Sequence, residues 1–491
     1  MATGRQIRGK RGSMVRPAAP PSVQAPRVGL ALAGLAFLLL FWMNQSIPLH
    51  EWEELKADVF VSGKASRFET LRYPLTFIYR RSADEELYFH LAGAVLGKAA
   101  DRPLLTKARE GCGEAFQRPL PPSDGHFHAP YAEVPIEYPP IVLPFILAPR
   151  MLTDSLRYYC WALGAAMGAC LLGAVAVLVR ALLRAGDEPR GISRRIVIVG
   201  ALFLAHGAIS IQRLDAVTAL FLALAAAAWM SRAYTRLGFW LGLAAASKFL
   251  PILLLLPIVA ADLQLLPSAL ARARTDARRL ARQAVARLVG VATLTFLAGL
   301  APFFLFSRAA LFEVLQYHGA RGLHGESVLG SLWALAVIGQ PAVHTYGSYN
   351  LSGRVPDFLA AVTMPLTLVA LATFAAVMYR RPVSSPQRKG LVLLTALLLL
   401  WTTGKVFSPQ YLTWGLPLLL LVPRGASGRI MVLYGGLVCV SQVYFRGYFD
   451  AVYNLEPLGV ATLFLRDVVL LALLVVLGRT AMSATEATMA S

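Results

Sequence analysis

Long apolar runs recur along this chain, and they constrain its fold more than any other feature. Hydrophobic residues make up 57% of the 491 positions, and many runs are long enough to cross a hydrocarbon core about 30 Å thick. The runs are continuous stretches of Leu, Ala and Val rather than alternating patterns, which favours helices over a β-barrel. The sequence therefore predicts an all-α integral membrane protein that crosses the bilayer many times.

The strong positive charge has a simple explanation in such a protein. The net charge is +20, which in a soluble chain would indicate nucleic-acid binding. In a polytopic membrane protein the same excess of Lys and Arg marks the cytoplasmic loops. We therefore predict a membrane-lipid environment and no nucleic-acid partner.

The distribution of charge along the chain sets the predicted topology. Residues 1–27 carry six cations and no acid, which is typical of a disordered cytoplasmic tail. A first span from Val28 to Asn44 leads into loop 45–135, which holds nearly half of the acids and is expected outside. Residues 484–491 are expected to form a second cytoplasmic tail, so that residues 28–483 make up the membrane domain.

The later basic clusters require three apolar regions to fold back on themselves. Every one of these clusters is expected inside: 180–195, 272–287, 380–389, 424–429 and Arg479. This holds only if three regions each cross twice, with breaks at 212–215, 247–251 and 402–410. Counting crossings in this way predicts about twelve spans with both termini inside.

The segment 137–151 contains several prolines and does not fit as a full span. It is expected to dip into the outer membrane face rather than to cross. Its first residues, Glu137–Pro140, are expected to end the preceding loop and to start a helix, because proline is tolerated in a first turn.

The predicted breaks place charged residues at or near the outer surface. These are Arg213 with Asp215, Lys248, and Lys405 with Gln410. A cation at membrane depth is costly unless it faces a cavity or an anion. Lys248 and Lys405 are thus either contacts to an anion such as a lipid phosphate or structural lysines at the interface. Arg213 either joins them or pairs with Asp215.

Loop 307–355 is expected on the same side and contains His318, His324 and Glu326. These residue types also ligate metals, but their spacing matches no standard helical metal motif. Hydrogen bonding of the histidines to a phosphate, beside Arg321, is the preferred interpretation. We predict no metal and no other cofactor.

The stretch Ser82–His90 supplies the candidate catalytic acid. It places Asp84 and Glu86 directly before an apolar run in the outer loop, where a carboxylate can have a raised pKa and accept a proton. The alternative is a solvated helix start, because acids in a first turn favour the helix dipole. Asp84 is the preferred base, and Glu86 and Asp58 in the same loop stay open as rivals.

These residues suit transfer from a lipid-linked donor. The sequence contains no Walker-type phosphate loop and no dinucleotide fingerprint, so the energy-rich donor has to be one available at the outer face. With a lipid-phosphate-linked sugar, cations would hold the leaving phosphate and a carboxylate would deprotonate the acceptor hydroxyl. A transporter or flippase of a lipid-linked or anionic substrate is the alternative, since broken hairpins with charged apices also suit transport.

Several short segments, in order along the chain, resemble the GT-C membrane glycosyltransferases, specifically glycosyltransferase family 87. They are Asp84–Tyr88, Glu137–Pro140, Arg213–Asp215, Gly242–Pro251, His324–Ser327 and Lys405–Trp414. That family includes polyprenol-phosphate-mannose-dependent α-1,2-mannosyltransferases. The resemblance spans most of the chain and implies a polytopic GT-C-like helical bundle with a long first outer loop.

The resemblance also implies an activity and a set of site residues. The donor would be a polyprenyl-phosphate sugar, with mannose the expected hexose, and the acceptor a hydroxyl of a lipid or glycan. Transfer would invert the anomeric carbon, with Asp84 as base and no obligatory metal. Residues matched by position would line the donor or acceptor cleft: Lys248, Lys405, Gln410, His318, His324, Arg213, Glu326 and Tyr138. The enzyme is expected in a bacterial plasma (inner) membrane, with its site facing outside.

Overall fold

The computed structural model describes residues 27–38 apart from 28 and 35, residues 83–263 apart from 110, and residues 276–483 apart from 382 and 384. Predictions for the two tails, most of the first span and the first part of loop 45–135 therefore lie outside the described residues. The rival base Asp58 is one of the residues that lie outside the described ranges.

The described chain is mostly helical, as the continuous apolar runs predicted. Within it, five helices are long and apolar enough to cross a membrane: Leu156–Arg184, Arg282–Phe306, Arg354–Tyr379, Arg424–Gly447 and Pro457–Ser483. The protein is therefore a helical, membrane-associated protein. The other apolar helices of the described chain are shorter or less apolar, so the count of about twelve spans stays a prediction.

An apolar helix, Gly29–Leu38, precedes the numbered elements. In chain order the helices that follow are α1 (Ala83–Val95), α2 (Arg102–Ala108), α3 (Leu143–Leu152), α4 (Leu156–Arg184), α5 (Pro189–His206), α6 (Ile209–Gln212), α7 (Asp215–Met230), α8 (Tyr234–Lys248), α9 (Leu255–Leu263), α10 (Asp276–Phe306), α11 (Ala310–Ala320), α12 (Val328–Ala334), α13 (Arg354–Tyr379), α14 (Pro386–Thr403), α15 (Leu412–Gly415), α16 (Arg424–Gly447), α17 (Phe449–Tyr453) and α18 (Pro457–Ser483). Short 3-10 turns occur at Glu114–Phe116, Pro140–Val142, Leu250–Leu254, Pro409–Tyr411 and Pro417–Leu421.

The three breaks predicted from the topology are present. The first separates α6 from α7 at Arg213, the second follows α8 at Phe249, and the third follows α14 at Gly404. Proline comes shortly after the second and third breaks, at Pro251 and Pro409. Because proline has no N–H to continue a helix, these two regions cannot run as single straight helices. The predicted breaks are confirmed, and the double crossing of each region stays a prediction.

The segment 137–151 forms no long helix. The turn Pro140–Val142 leads directly into α3, and the two together are shorter than a membrane span. Proline residues lie in the first turns of both elements, where the missing N–H has no partner to lose. The segment therefore starts a short helix, as predicted.

Buried polar groups join three helices at the end away from the breaks. Lys389, near the start of α14, donates from Nζ to the carbonyl oxygen of Trp229 at 2.6 Å. The indole Nε1 of Trp229 in turn donates to Asp262 Oδ2 at 2.9 Å. Buried charged groups are tolerated only with such partners. These contacts hold α7, α9 and α14 together at that end.

A three-stranded antiparallel sheet lies between α11 and α13. Strands β1 (Leu323–His324) and β2 (Val343–Thr345) flank β3 (Ser348–Leu351). Tyr346 and Gly347 join β2 to β3 with positive φ values of 49° and 63°, as a type I′ hairpin turn requires. The sheet lies beside the cavity described below.

Two glycines spaced four residues apart let α8 approach α10 closely. A Cβ at Gly238 would lie 2.6 Å from the carbonyl oxygen of Leu288, and one at Gly242 would lie 2.6 Å from that of Ala292. Small residues at this spacing allow tight contact between membrane helices. This contact fixes the position of α8, and therefore of Lys248 at its end.

The variant Gly242→Leu should push α8 and α10 apart and lower the stability of the fold. Overpacking a tight contact costs about 1–3 kcal/mol, so the midpoint of thermal unfolding in detergent should fall by several degrees. Gly290→Leu is the matched control, because Gly290 also lies on α10 and a Cβ there would meet open space. Equal destabilisation by both variants would contradict the importance of the close contact.

Candidate functional site

A cavity of about 1780 Å³ opens where the three breaks meet α1 and the segment around the small sheet. Every candidate site residue within the described chain lines it: Asp84, Glu86, Tyr138, Arg213, Lys248, His318, His324, Glu326, Lys405 and Gln410. The structure thus gathers residues as distant in sequence as Asp84 and Gln410 into one space. Their individual roles stay predictions.

The carboxylate of Asp215 joins all three breaks beside this cavity. Asp215 is buried and lies at the start of α7. Its Oδ1 accepts a hydrogen bond from Trp414 Nε1 at 2.8 Å, and its Oδ2 lies 3.4 Å from Lys248 Nζ. One carboxylate therefore connects the first break, the end of α8 and the segment that follows the third break.

Asp84 forms an ion pair with Arg213, and Asp215 pairs with Lys248. The charge of Asp215 also acts on Arg213, so the role of Arg213 towards an anion stays a prediction. Asp84 lies in the first turn of α1, and the pair ties α1 to the first break. The Asp84 side chain is 28% exposed and that of Arg213 is 13% exposed. The surroundings of Asp84 are thus charged, not apolar as the sequence suggested. The ion pair holds the Asp84 carboxylate in the cavity wall, and its role as a base stays a prediction.

Lys248 is held in place by side chains and by the backbone that follows it. Its Nζ lies 5.7 Å from the ring centre of Tyr411, in addition to its contact with Asp215. Phe249, the next residue, has φ 58° and ψ −54°, a strained conformation for a residue with a side chain. The Lys248 side chain remains 24% exposed and lines the cavity. It is the last residue of α8, directly before the turn at Phe249.

His318 is a neutral histidine surrounded by cations. Burial lowers its pKa to about 3, and the charges of Arg321, Lys248 and Lys405 act in the same direction. Its Nε2 lies 3.2 Å from the carbonyl oxygen of Glu137 and therefore donates to it, which leaves Nδ1 as an acceptor. Three cations around an uncharged ring are a suitable setting for an anion.

Lys405 has a structural role in addition to its place in the cavity wall. Its Nζ donates to the carbonyl oxygens of Gly319 and Arg321 at 2.6 and 2.8 Å. Its own carbonyl oxygen accepts a hydrogen bond from His324 N at 3.0 Å. Burial lowers the pKa of Lys405, and nearby Arg321 adds to the effect. The structural interpretation thus has direct support, while contact with an anion stays a prediction.

Glu326 and His324 are buried in the cavity wall and held by several hydrogen bonds. Glu326 accepts from the hydroxyl of Tyr444 at 2.7 Å and from that of Tyr453. His324 Nε2 lies 4.0 Å from Glu326 Oε1, and its Nδ1 lies 3.2 Å from the carbonyl oxygen of Phe407. Burial lowers the pKa of His324. Within the described ranges, no group of three or more His, Cys, Asp or Glu is placed to hold a metal ion.

Tyr138, Glu86 and Gln410 complete the predicted set. The rings of Tyr138 and Tyr88 meet edge to face with centres 5.3 Å apart, and burial raises the pKa of the Tyr138 hydroxyl. Glu86 lies in the first turn of α1, two residues after Asp84. Gln410 lies in the 3-10 turn that follows the third break.

Glu137 is a cavity-lining acid to which the sequence analysis gave only the role of starting a helix. Burial raises its pKa, although the cations Arg109 and Arg321 oppose the shift. A carboxyl group with a raised pKa in a cavity is a candidate for proton transfer, so Glu137 joins Asp84 as a candidate base. No local pattern could have revealed this, because the burial of Glu137 depends on residues far away in sequence.

Arg446 is a second cavity residue that the sequence analysis missed, and here a signal was present. It lies at the end of α16, on the side where the predicted topology places few cations. Its Nη2 donates to Gln212 Oε1 at 3.1 Å. This hydrogen bond links the end of α16 to the first break and holds Arg446 in the cavity wall.

Comparison with known proteins adds no family to this picture. No family model matches the chain, and no curated protein is significantly similar to it. The resemblance carried by the short segments therefore stays a prediction, and the function is inferred from the site.

The low pKa of His318 predicts a loss of stability in mild acid. The unfolded chain takes up a proton on this ring below pH 6.5, whereas the folded protein does not until about pH 3. Stability contributed by the neutral ring is therefore lost as the pH falls through this window, by up to about 2 kcal/mol between pH 6.5 and pH 5.

His318→Gln should remove this part of the acid sensitivity, because an amide can still donate to Glu137 and does not titrate. Thermal unfolding of both proteins in detergent at pH 7 and pH 5 measures the difference. His126→Gln is the control, since His126 is exposed. If His318→Gln is as acid-sensitive as the unaltered protein, His318 is not the group responsible.

Proposed function

We propose that this protein is a membrane glycosyltransferase. It moves a hexose, with mannose the first donor to test, from a polyprenyl-phosphate sugar to a hydroxyl of a lipid or glycan acceptor. The site faces the outside of a bacterial plasma membrane, and transfer inverts the anomeric carbon. The observation that carries the proposal is the cavity itself, in which the carboxylate of Asp84 and a group of cations around neutral His318 share one space.

The cations supply what a phosphate leaving group needs. Arg321 donates from Nε and Nη2 to the carbonyl oxygen of Tyr346 at 3.0 and 2.7 Å, and Lys405 likewise donates to carbonyl groups. Carbonyl oxygens hold these side chains without neutralising their charge. Together with Lys248, they would stabilise the negative charge that grows on the phosphate as the glycosidic bond breaks.

Asp84 supplies the base for the acceptor. In the proposed step the acceptor hydroxyl attacks the anomeric carbon and its proton passes to the Asp84 carboxylate. The bond from the anomeric carbon to the phosphate oxygen breaks, and the polyprenyl phosphate leaves with the electron pair. A single displacement of this kind inverts the anomeric carbon. Arg213 positions Asp84 through the ion pair.

Apolar residues on the cavity wall support a lipid-linked donor. Leu315 of α11 and Met364 of α13 line the cavity and are 46% and 51% exposed. An apolar wall that reaches the protein surface allows a polyprenyl chain to remain in the bilayer while its phosphate enters the cavity. A soluble phosphate donor would not require this opening.

The broken helices also suit a transporter, which is the alternative function. A transport path has to open on both sides of the membrane. At the end away from the cavity, Lys389, Trp229 and Asp262 join three helices. There Arg195 donates to the carbonyl oxygen of Val422 at 3.1 Å. These buried contacts favour a cavity with one entrance, and thus the enzyme.

Asp84→Asn should lower transfer by about a hundredfold or more, which is the usual contribution of a general base. Asparagine still accepts a hydrogen bond from Arg213, so donor affinity should change little. The assay supplies purified protein in nanodiscs with radiolabelled polyprenyl-phosphate mannose and a lipid extract from the source cells. Glu86→Gln and Glu137→Gln test the two rival carboxylates, and both should retain activity if Asp84 is the base.

The same assay separates the rival bases and the rival function. Retained activity in Asp84→Asn together with loss in Glu137→Gln or Glu86→Gln would move the base to that residue. Donor that binds without being consumed by the unaltered protein, and that crosses the membrane of sealed vesicles, would establish the transporter instead.

Lys248→Met should weaken binding of a lipid phosphate by about tenfold, because one charge-assisted contact to the phosphate is lost. Isothermal titration with decyl phosphate measures this directly. Lys98→Met is the control for loss of positive charge, since Lys98 binds the Arg150 carbonyl oxygen and Asp154 instead. Equal affinity in Lys248→Met and the unaltered protein would exclude Lys248 from the phosphate site.

A further inference from the structure

A cluster of aromatic rings forms part of the cavity wall next to the small sheet. The rings of Tyr349 and Tyr453 stack with centres 3.8 Å apart, and Phe449 meets Tyr453 at 4.4 Å and Tyr349 at 5.8 Å. Phe445 lies 5.8 Å from Phe449. Tyr349, Phe445 and Phe449 are partly exposed and line the cavity. The proposed transfer chemistry uses none of these rings.

Two carboxylates line the cavity on the same side as this aromatic cluster. Asp450 follows Phe449 directly, and Glu456 lies three residues after Tyr453. Both side chains are exposed. Asp450 acts on Tyr349, because its charge adds to the effect of burial in raising the pKa of that hydroxyl. Asp450 is thus a hydrogen-bond acceptor beside the aromatic cluster, and Glu456 is a second acceptor in the wall of the same cavity.

We infer that the aromatic cluster, with Asp450 and Glu456, binds a pyranose ring and is the acceptor subsite. A pyranose presents C–H groups on its faces, which pack on aromatic rings, and hydroxyl groups at its rim, which donate to carboxylates. The inference rests on the proposed function and narrows it: the acceptor is a glycan or glycolipid, and its sugar rather than a simple aliphatic alcohol is recognised.

The aromatic cluster differs from two other arrangements of aromatic residues. An aromatic belt at a membrane surface anchors a protein among lipid headgroups, whereas these rings line an internal cavity, and Tyr453 donates to buried Glu326. A cage for a quaternary ammonium group also combines rings with acids. Here Arg446 lies 5.3 Å from the Phe445 ring, and a cationic side chain in that place disfavours a cationic ligand.

Hydrogen bonds connect the aromatic cluster to the proposed phosphate site. Gly325 N donates to the carbonyl oxygen of Tyr349 at 3.0 Å. The neighbouring residue, His324, donates from its backbone N to the carbonyl oxygen of Lys405 at 3.0 Å. The aromatic cluster and Lys405 are therefore held by two adjacent residues of one segment. A sugar on the rings would lie in the same cavity as the donor, in an arrangement fixed before binding.

The test compares Phe449→Leu and Asp450→Asn with the unaltered protein in nanodiscs. Phe449→Leu keeps an apolar side chain and removes the ring, and Phe464→Leu is its control, because Phe464 is 41% exposed on α18 and does not line the cavity. Three quantities are measured. They are binding of methyl α-D-mannopyranoside by saturation-transfer NMR, the KM for this glycoside as acceptor, and the rate of donor hydrolysis to free hexose.

We expect both variants to raise the dissociation constant and the KM for the glycoside about tenfold, with donor hydrolysis unchanged within about twofold. Unchanged glycoside binding in both variants would overturn the inference. A matched fall in donor hydrolysis and transfer would also overturn it, because the aromatic cluster would then serve the donor. Loss of tetramethylammonium binding instead of glycoside binding would assign a cation site. If the unaltered protein binds the glycoside through Phe449 but never consumes donor, the sugar site stands and the proposed function fails.

Discussion

Asp215 is the group on which the rest of this structure depends. A carboxylate buried among apolar helices is costly unless its charge is paired and its oxygens are hydrogen-bonded. Its partners, Lys248 and Trp414, come from the two other broken regions, so satisfying one side chain brings all three breaks to one place. Arg213, two residues earlier, pairs with Asp84 and adds α1 to the same assembly. The cavity lies where these segments meet.

The charges around this cavity are held in two different ways. Lys248 and Arg213 each pair with an acid, whereas the hydrogen bonds described for Arg321 and Lys405 go to backbone carbonyl oxygens. Pairing positions a side chain and offsets its charge, while a carbonyl group positions it and leaves the charge. His318 stays neutral among these cations because it is buried. The result is a site whose positive field is set before any anion arrives.

The proposed phosphate site and the aromatic cluster are two parts of one cavity, and the segment of β1 joins them. His324 contacts Lys405 and Phe407, and Glu326, two residues on, accepts from Tyr444 and Tyr453. Displacing this segment would therefore alter both parts together. A cavity that has to hold a donor and an acceptor at a fixed separation benefits from such a connection, because the reacting atoms are oriented when both ligands bind.

The sequence by itself determined the features that depend on local chemistry. Continuous apolar runs predicted a helical membrane protein, and proline, glycine and charge predicted the three breaks. Ten of the residues that line the cavity were also named as candidates from the sequence. Only the tertiary structure decided the pairings. Arg213 has Asp215 two residues away yet pairs with Asp84, and Lys405 binds carbonyl groups of residues 319 and 321. Glu137 and the aromatic cluster became candidates in the same way, because burial and ring contacts arise between segments that are distant in sequence. The local sequence identifies a charged or polar side chain that requires a partner, and the tertiary structure determines which distant residue is that partner.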